Sequence, residues 1–205
     1  MRLQGKAAIV TGGGSGFGEG IVRKFVAEGA KVLIADRDEA AAKRVADATG
    51  ARWLRVDVSR ADDVKEMADA AFAHFGALDI LVNNAGIGHL PQPLEGLPED
   101  DFDRIVAVNM KAIYLAAKEI VPRMKAAGGG VILNMASTAG VSPRPRLTWY
   151  NASKGWVITA TRSMAVELAP FGIRVVALNP VAGETPLLAT FMGEDTPAMR
   201  AKFLA

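Results

Sequence analysis

The sequence predicts an α/β fold: a doubly wound parallel sheet in three layers, carried by a single domain over residues 1–205. Three observations predict it. Short apolar runs alternate with longer helical patterns six times over, which argues for parallel crossovers. The short runs are rich in Val, Ile and Leu on both faces, as strands are when helices cover both sides of a sheet. No linker or internal repeat divides the chain.

The elements follow in order. "KAAIVTGG" (6–13) reads as a strand entering a glycine turn, and "GEGIVRKFVAEG" (18–29) as a helix with Ile21, Val22, Phe25 and Val26 on one face and Gly29 as its stop. "KVLIAD" (31–36) is the second strand. The helix after it ends at Gly50, and "ARWLRVDV" (51–58) is the third strand. Ser59 and Asp62 fit a capping box for a helix running to about Phe75, with Gly76 beyond it. "LDILVNNAG" (78–86) is the fourth strand with its exit turn. A long helical region runs from about Glu99 to Ala127, and "GGVILNMAS" (129–137) is the fifth strand. A Pro-rich loop leads to a helix from about Trp149 to Ala169, and "GIRVVALNP" (172–180) is the sixth strand. In a sheet of this kind ligands bind at the carboxyl ends of the strands, where the unusual residues lie.

Composition narrows the function classes. Half of the residues are apolar and 22% are charged, so the chain is globular. The net charge is only +2 with no block of like charge, so no nucleic-acid partner is expected. There is no cysteine, which removes disulfides, thiolate metal sites and cysteine nucleophiles together. Two histidines, His74 and His89, make no histidine-rich metal site, and no metal is expected. No apolar run approaches a membrane span and the first ten residues are no signal peptide, so a cytoplasmic location is expected.

"TGGGSGFG" (11–18) sits between the first strand and the first helix. A dinucleotide pyrophosphate needs backbone N–H groups at a helix N-terminus with no side chains in the way, and Gly12, Gly16 and Gly18 supply that room. Ser15 and Phe17 of the same turn are placed in the cofactor site with them. The pattern lacks the lysine of a P-loop. Asp36 ends the second strand, 24 residues after Gly12. A carboxylate there accepts hydrogen bonds from the adenosine ribose and repels a 2′-phosphate, so NAD is expected over NADP. Arg37 pulls the other way, since an arginine can hold that phosphate.

"YNASK" (150–154) spaces a tyrosine and a lysine four apart, and "YLAAK" (114–118) does the same with the other of the two tyrosines. Spacing alone does not choose between them. Taken with the rest of the chain, these motifs make the sequence resemble a short-chain dehydrogenase/reductase of the single-domain, Rossmann-type kind. Thr11, Gly12, Gly16 and Gly18 match that family's T-G-x-x-x-G-x-G. Asn83, Asn84, Ala85 and Gly86 match its N-N-A-G. Asp57 and Val58 match its strand-end Asp-Val beside the adenine, Asn109 its helix asparagine, and Ser137 its catalytic serine. Tyr150 and Lys154 match its Y-x-x-x-K, and Pro180 and Thr185 its carboxamide contacts. The match runs in order across the chain.

The resemblance implies a hydride transfer between a nicotinamide and a small molecule, interconverting a secondary alcohol and a ketone. It settles the tyrosine: Tyr150 follows strand-end Ser137 by 13 residues, whereas Tyr114 has Asp101 at that offset inside a helical segment. "YLAAK" then reads as a helix face packed on the sheet or a partner. Tyrosine, with an ordinary pKa of about 10, is a poor base, and Lys154 one helical turn away is expected to lower that value. The oxidised, cationic nicotinamide pulls the same way. By the resemblance Lys154 also bonds the nicotinamide ribose, Ser137 donates to the substrate oxygen, and Asn109 holds a water that links Lys154 to solvent. Read without the family, Asn109 is a helix kink or cap and Ser137 a helix N-cap. A dinucleotide-binding scaffold without turnover is the second function class.

Other features are expected as follows. His89 is a solvated loop histidine. Arg144 and Arg146 are surface loop residues whose alternative role is to steer an acidic substrate. The apolar "LLATFM" belongs to a substrate lid over about 186–205 and suggests a carbon-rich substrate. Thr196 and Pro197 begin another helix. The resembling family continues beyond this point, so the sequence is expected to lack its C-terminal segment, or else a partner covers the sixth strand. Apolar residues around the helices near 109–127 and 149–169 exceed what one sheet face needs, which predicts a homodimer or homotetramer.

Overall fold

Six strands line up in one parallel sheet. They are β1 (Ala7–Thr11), β2 (Lys31–Asp36), β3 (Arg52–Arg55), β4 (Ile80–Asn83), β5 (Gly130–Met135) and β6 (Ile173–Leu178), in the order β3-β2-β1-β4-β5-β6. The computed structural model describes residues 1–193, 196–198 and 201. The helices between and after the strands are α1 (Gly16–Ala27), α2 (Glu39–Thr49), α3 (Ala61–Phe75), α4 (Glu99–Ile105), α5 (Ala112–Ala126), α6 (Thr148–Leu168) and α7 (Pro186–Met192). The doubly wound, Rossmann-type α/β expectation therefore holds. None of the described helices is long and apolar enough to cross a membrane.

Alternation along each central strand feeds two cores. Ile9, Leu33 and Leu81 join one cluster with Met67 of α3 and Leu115, Ile120 and Met124 of α5. Val10, Ile34 and Val82 face the other way, toward Val22 of α1 and Val45 of α2. Both faces of one strand are apolar because each is roofed by helices, and each fully buried aliphatic side chain contributes about 1.5–3 kcal/mol.

Register brings the carboxyl ends together. Thr11 pairs with Ala35, Val10 with Val82, Asn83 with Asn134 and Met135 with Leu178. The chain winds outward in opposite directions from β1 and β4, so the crevice of the fold opens between the loops that leave those two strands.

Two local departures from the sequence reading have physical causes. Helix α3 begins at Ala61 with Arg60 as its N-cap and no side-chain cap, so the Ser59 capping box does not form. The Asp57 carboxylate instead accepts from the Ser59 amide (3.0 Å) and hydroxyl (2.6 Å), and Asp63 accepts from the Asp57 amide (2.9 Å). The helical region at 99–126 is broken by a π-turn, Val106–Lys111, which holds Asn109. Strand β6 lies at the sheet edge with Ile173 and Val175 buried and Val176 and Leu178 exposed at 45% and 48%. Of the expected lid, Pro186–Met192 is helical; the helix expected from Thr196 onward falls largely outside the described residues.

Candidate active site

The glycine turn is built from β1 and tied to β4. The Thr11 hydroxyl accepts from the amides of Asn84 (3.0 Å) and Ala85 (3.1 Å). The Asn84 side chain donates to the carbonyls of Thr11 (2.9 Å) and Gly12 (3.1 Å). Gly12 and Gly16 have φ of 63° and 51°, which an L side chain rarely adopts. Gly18 serves differently from expectation. A Cβ there would lie 2.0 Å from the Gly12 carbonyl oxygen, so its missing side chain lets the turn close onto α1 and does not clear a ligand's path.

Around this turn a cleft of about 480 Å³ runs along the carboxyl ends of the strands. Its walls include Gly12, Ser15, Gly16 and Phe17 of the turn, Asp36 and Arg37 after β2, and Asp57 and Val58 after β3. Ala85 and Gly86 follow β4, Ser137 follows β5, Tyr150 and Lys154 come from α6, and Pro180 and Thr185 follow β6. Asp36 accepts from the Gly14 amide (2.9 Å) through one oxygen and from the Asp38 amide (3.0 Å) through the other, so it also braces the glycine loop. The bond from the Ser59 hydroxyl holds the Asp57 carboxyl below its ordinary value. Asn83 is not in the cleft wall. Its buried side chain donates to Asn134 (2.9 Å), which donates to Thr161 (2.9 Å), tying β4, β5 and α6 together.

Four polar side chains converge where β5 meets α6. Ser137, Tyr150, Lys154 and Asn109 are all buried. Ser137 hydrogen-bonds with the Tyr150 side chain, and its oxygen also accepts from the Ala139 amide (3.1 Å), capping the short turn Thr138–Gly140. Lys154 donates to the Met135 carbonyl (2.8 Å) and lies 5.9 Å from the centre of the Tyr150 ring. Asn109 accepts from the Ile87 amide and donates to the Ile87 carbonyl and the Ser153 hydroxyl, each at 2.9 Å. Gly140 makes the approach of this turn to α6 possible, since a Cβ on it would lie 2.6 Å from the Lys154 backbone.

Burial dominates the proton affinities here. It pushes the Tyr150 hydroxyl above its ordinary value, against the pull of the Ser137 bond and the Arg144 charge. It pushes Lys154 down to about 8. The expectation that Lys154 lowers the Tyr150 pKa is therefore not met in the protein alone. The ammonium is itself desolvated and spends a hydrogen bond on Met135, while loss of hydration penalises the phenolate.

The second Tyr/Lys spacing, Tyr114 and Lys118, lies outside the cleft wall. Tyr114 is 58% exposed and Lys118 is exposed, while neighbouring Ile113, Leu115 and Ala116 are buried on the sheet side. His89 is not solvated. It is 7% exposed, its Nδ1 lies 2.8 Å from the Leu90 carbonyl, and its Nε2 has no partner among the described residues. Arg144 lies in the cleft wall and Arg146 is exposed. Helix α7 covers the mouth, with the Phe191 ring 4.7 Å from that of Tyr150. Sequence reasoning missed Asn84 as a brace, Gly140, and the apolar lining of Ala139 and Leu147. Asn84 lay in plain view in the N-N-A-G run; the apolar residues carry no chemical mark.

The family described as short chain dehydrogenase matches residues 6–195. The 4-formylbenzenesulfonate dehydrogenase of Comamonas testosteroni is 47% identical, with 100% of this chain and 84% of that protein covered. A crystal structure of a 3-ketoacyl-(acyl-carrier-protein) reductase from Brucella melitensis, complexed with NADH, superposes with a TM-score of 0.93. It is 53% identical and covers 98% of this chain and 82% of its own. A crystal structure of an NAD+-bound xylitol dehydrogenase gives a TM-score of 0.85 at 32% identity, covering 88% and 72%.

Proposed function

The chain belongs to the short chain dehydrogenase family of oxidoreductases, and from that membership we propose that it interconverts a secondary alcohol and a ketone with a nicotinamide cofactor, NAD before NADP. The observation that carries this reading is the meeting of Ser137, Tyr150 and Lys154 at one end of a cleft whose other end is the glycine turn. When bound, the nicotinamide takes the carbinol hydride or returns it. The residues proposed to hold the cofactor are Gly12, Ser15, Gly16, Phe17, Asp36, Arg37, Asp57, Val58, Ala85, Gly86, Tyr150, Lys154, Pro180 and Thr185, with Gly18 and Asn83 shaping their supports.

In the oxidative direction the alcohol O–H proton passes to the Tyr150 oxygen as the carbinol C–H bond breaks. The Ser137 hydroxyl donates to the same substrate oxygen and holds it beside Tyr150. Lys154 contributes positive charge beneath the phenolate. Asn109 is assigned the water that passes the proton onward. Asn109 and Lys154 both approach Gly86, since a Cβ built there would lie 3.4 Å from Asn109 Oδ1 and from Lys154 Nζ. A non-catalytic scaffold has no use for this set. Reduced-nicotinamide absorbance with a panel of secondary alcohols distinguishes the two: no turnover of any alcohol or ketone, with cofactor bound, supports the scaffold.

The NAD preference rests on Asp36 at the end of β2, beside Arg37. Asp36→Ala should raise kcat/KM with NADP and lower it with NAD, shifting the ratio by tenfold or more. Wild type that already favours NADP contradicts the assignment and gives the role to Arg37.

Assembly is proposed as at least a homodimer through α5 and α6. Much of the apolar surplus seen in the sequence is absorbed within the chain, since Ile113, Leu115, Ala116, Ile120 and Val157 are buried. What remains outward is Tyr114 at 58%, Trp156 at 37% and Val166 at 80% exposure. Sedimentation at micromolar concentration should give at least a dimer, and a clean 21.6 kDa monomer refutes it.

A further inference from the structure

We propose that Phe191, seated on Gly88, sets which substrates reach Tyr150, and that these are alcohols and ketones whose reacting carbon carries one small substituent, a methyl or an unbranched methylene. This rests on the redox reading of the cleft given above.

A contact among three residues carries the inference. The Phe191 ring packs on the Tyr150 ring, with centroids 4.7 Å apart and planes tilted by 54°. With Ala139 and Leu147 it encloses Tyr150 in an apolar cluster that leaves the tyrosine buried. Gly88 makes room for the ring. A Cβ built there would lie 2.5 Å from Phe191 Cε1 and 3.0 Å from its Cζ. Both residues line the cleft. Even a methyl at position 88 would therefore drive the ring from its place, since the ring edge yields more readily than the backbone under it.

The element that carries the ring is held in place. In α7, Leu188 and Met192 lie one turn apart and are both buried. The segment before α7 packs closely on the glycine turn. A Cβ on Gly183 would lie 2.4 Å from the Phe17 ring, and one on Gly16 would lie 3.1 Å from the Thr185 side chain. A substrate that needs Phe191 to retreat must displace packed side chains as well.

The size limit follows from reach. A reacting carbonyl oxygen must come within hydrogen-bond distance of the Tyr150 and Ser137 hydroxyls. Its two substituents then lie against the walls beside Tyr150, and Phe191 is the wall in contact with the tyrosine itself. A methyl or methylene passes beside a fixed ring where a branched group collides with it. In an apolar pocket a single methylene changes selectivity by about 10–200-fold.

The test uses the full chain with reduced cofactor and two ketones that share a phenyl group: acetophenone, with a methyl, and isobutyrophenone, with a branched isopropyl. Wild type should favour acetophenone by about tenfold or more in kcat/KM. Phe191→Ala should bring that ratio below about threefold, chiefly by raising the value for isobutyrophenone, and Phe191→Leu should fall between. Gly88→Ala should move the ratio by about threefold or more in the wild-type background and leave it unchanged in the Phe191→Ala background, because the added methyl acts only through the ring. Equal use of the two ketones by wild type, or a ratio that survives Phe191→Ala, overturns the proposal. So does an equal fall for both ketones in Phe191→Ala, the mark of a merely structural role, or a Gly88→Ala effect that persists without the ring. Binding is read separately from turnover by titrating each ketone into the NADH complex and following nicotinamide fluorescence. If neither ketone is reduced, tighter binding of acetophenone that is levelled in Phe191→Ala still sustains the size limit while counting against the redox reading. Equal binding of the two, or binding of neither, overturns the size limit.

Discussion

Tyr150→Phe should lower turnover by roughly 10²–10⁴-fold, the usual contribution of a positioned acid or base, while cofactor binding survives on the remaining proposed contacts. The ring remains to pack against Phe191 and Leu147, so the fold has no reason to change. Only the hydroxyl is lost, and with it the partner of Ser137 and the atom proposed to exchange a proton with the substrate. Tyr114→Phe should be nearly silent, because its side chain is 58% exposed. Parallel measurement of kcat and of cofactor Kd for both variants checks this. Full activity in Tyr150→Phe removes the acid–base assignment, and a large loss in Tyr114→Phe would assign a role to the exposed pair.

Lys154→Met should separate stability from activity. Lys154 is buried with a pKa of about 8 against an ordinary 10.5. The folded value is depressed, so between those two pH values the unfolded chain binds more protons and stability rises with pH. Below pH 8 both states hold the proton, and the folded state carries a penalty on the order of 3 kcal/mol for the buried ammonium. Methionine fills similar space without the charge. It forfeits the bond to the Met135 carbonyl, worth about 1 kcal/mol. The variant should therefore be more stable at pH 7, raising Tm by about 4–8 °C. The advantage should shrink toward pH 10.5, and turnover should be lost. Thermal unfolding at both pH values decides it, and a variant less stable than wild type at pH 7 contradicts the buried-charge account.

The sheet was legible because its strands are short and continuously apolar while its helices carry a 3.6-residue period. The glycine turn and the Ser137, Tyr150 and Lys154 set were legible because each needs a particular residue type at a particular place. Legibility failed where two polar groups competed for one partner, as where Asp57 captured Ser59 and removed the expected cap of α3. It failed again for His89, whose burial depends on how its loop packs and not on its neighbours in sequence. Gly18 and Asn83 were recognised as special, but the sequence does not distinguish a residue that touches a ligand from one that supports the turn beneath it. Of the cleft's apolar wall, Leu188 lay in the run read as a lid, whereas Ala139 and Leu147 were invisible because they read like any core residue.

The most direct test of the central assignment is isotope transfer. Reduced cofactor deuterated at the transferring carbon is incubated with the protein and a panel of ketones, and the products are examined by mass spectrometry. Hydride transfer in this cleft predicts one deuterium on the carbinol carbon of at least one product, absent when Tyr150→Phe replaces wild type. Bound cofactor with no deuterium in any product would contradict it and leave a nucleotide-binding scaffold.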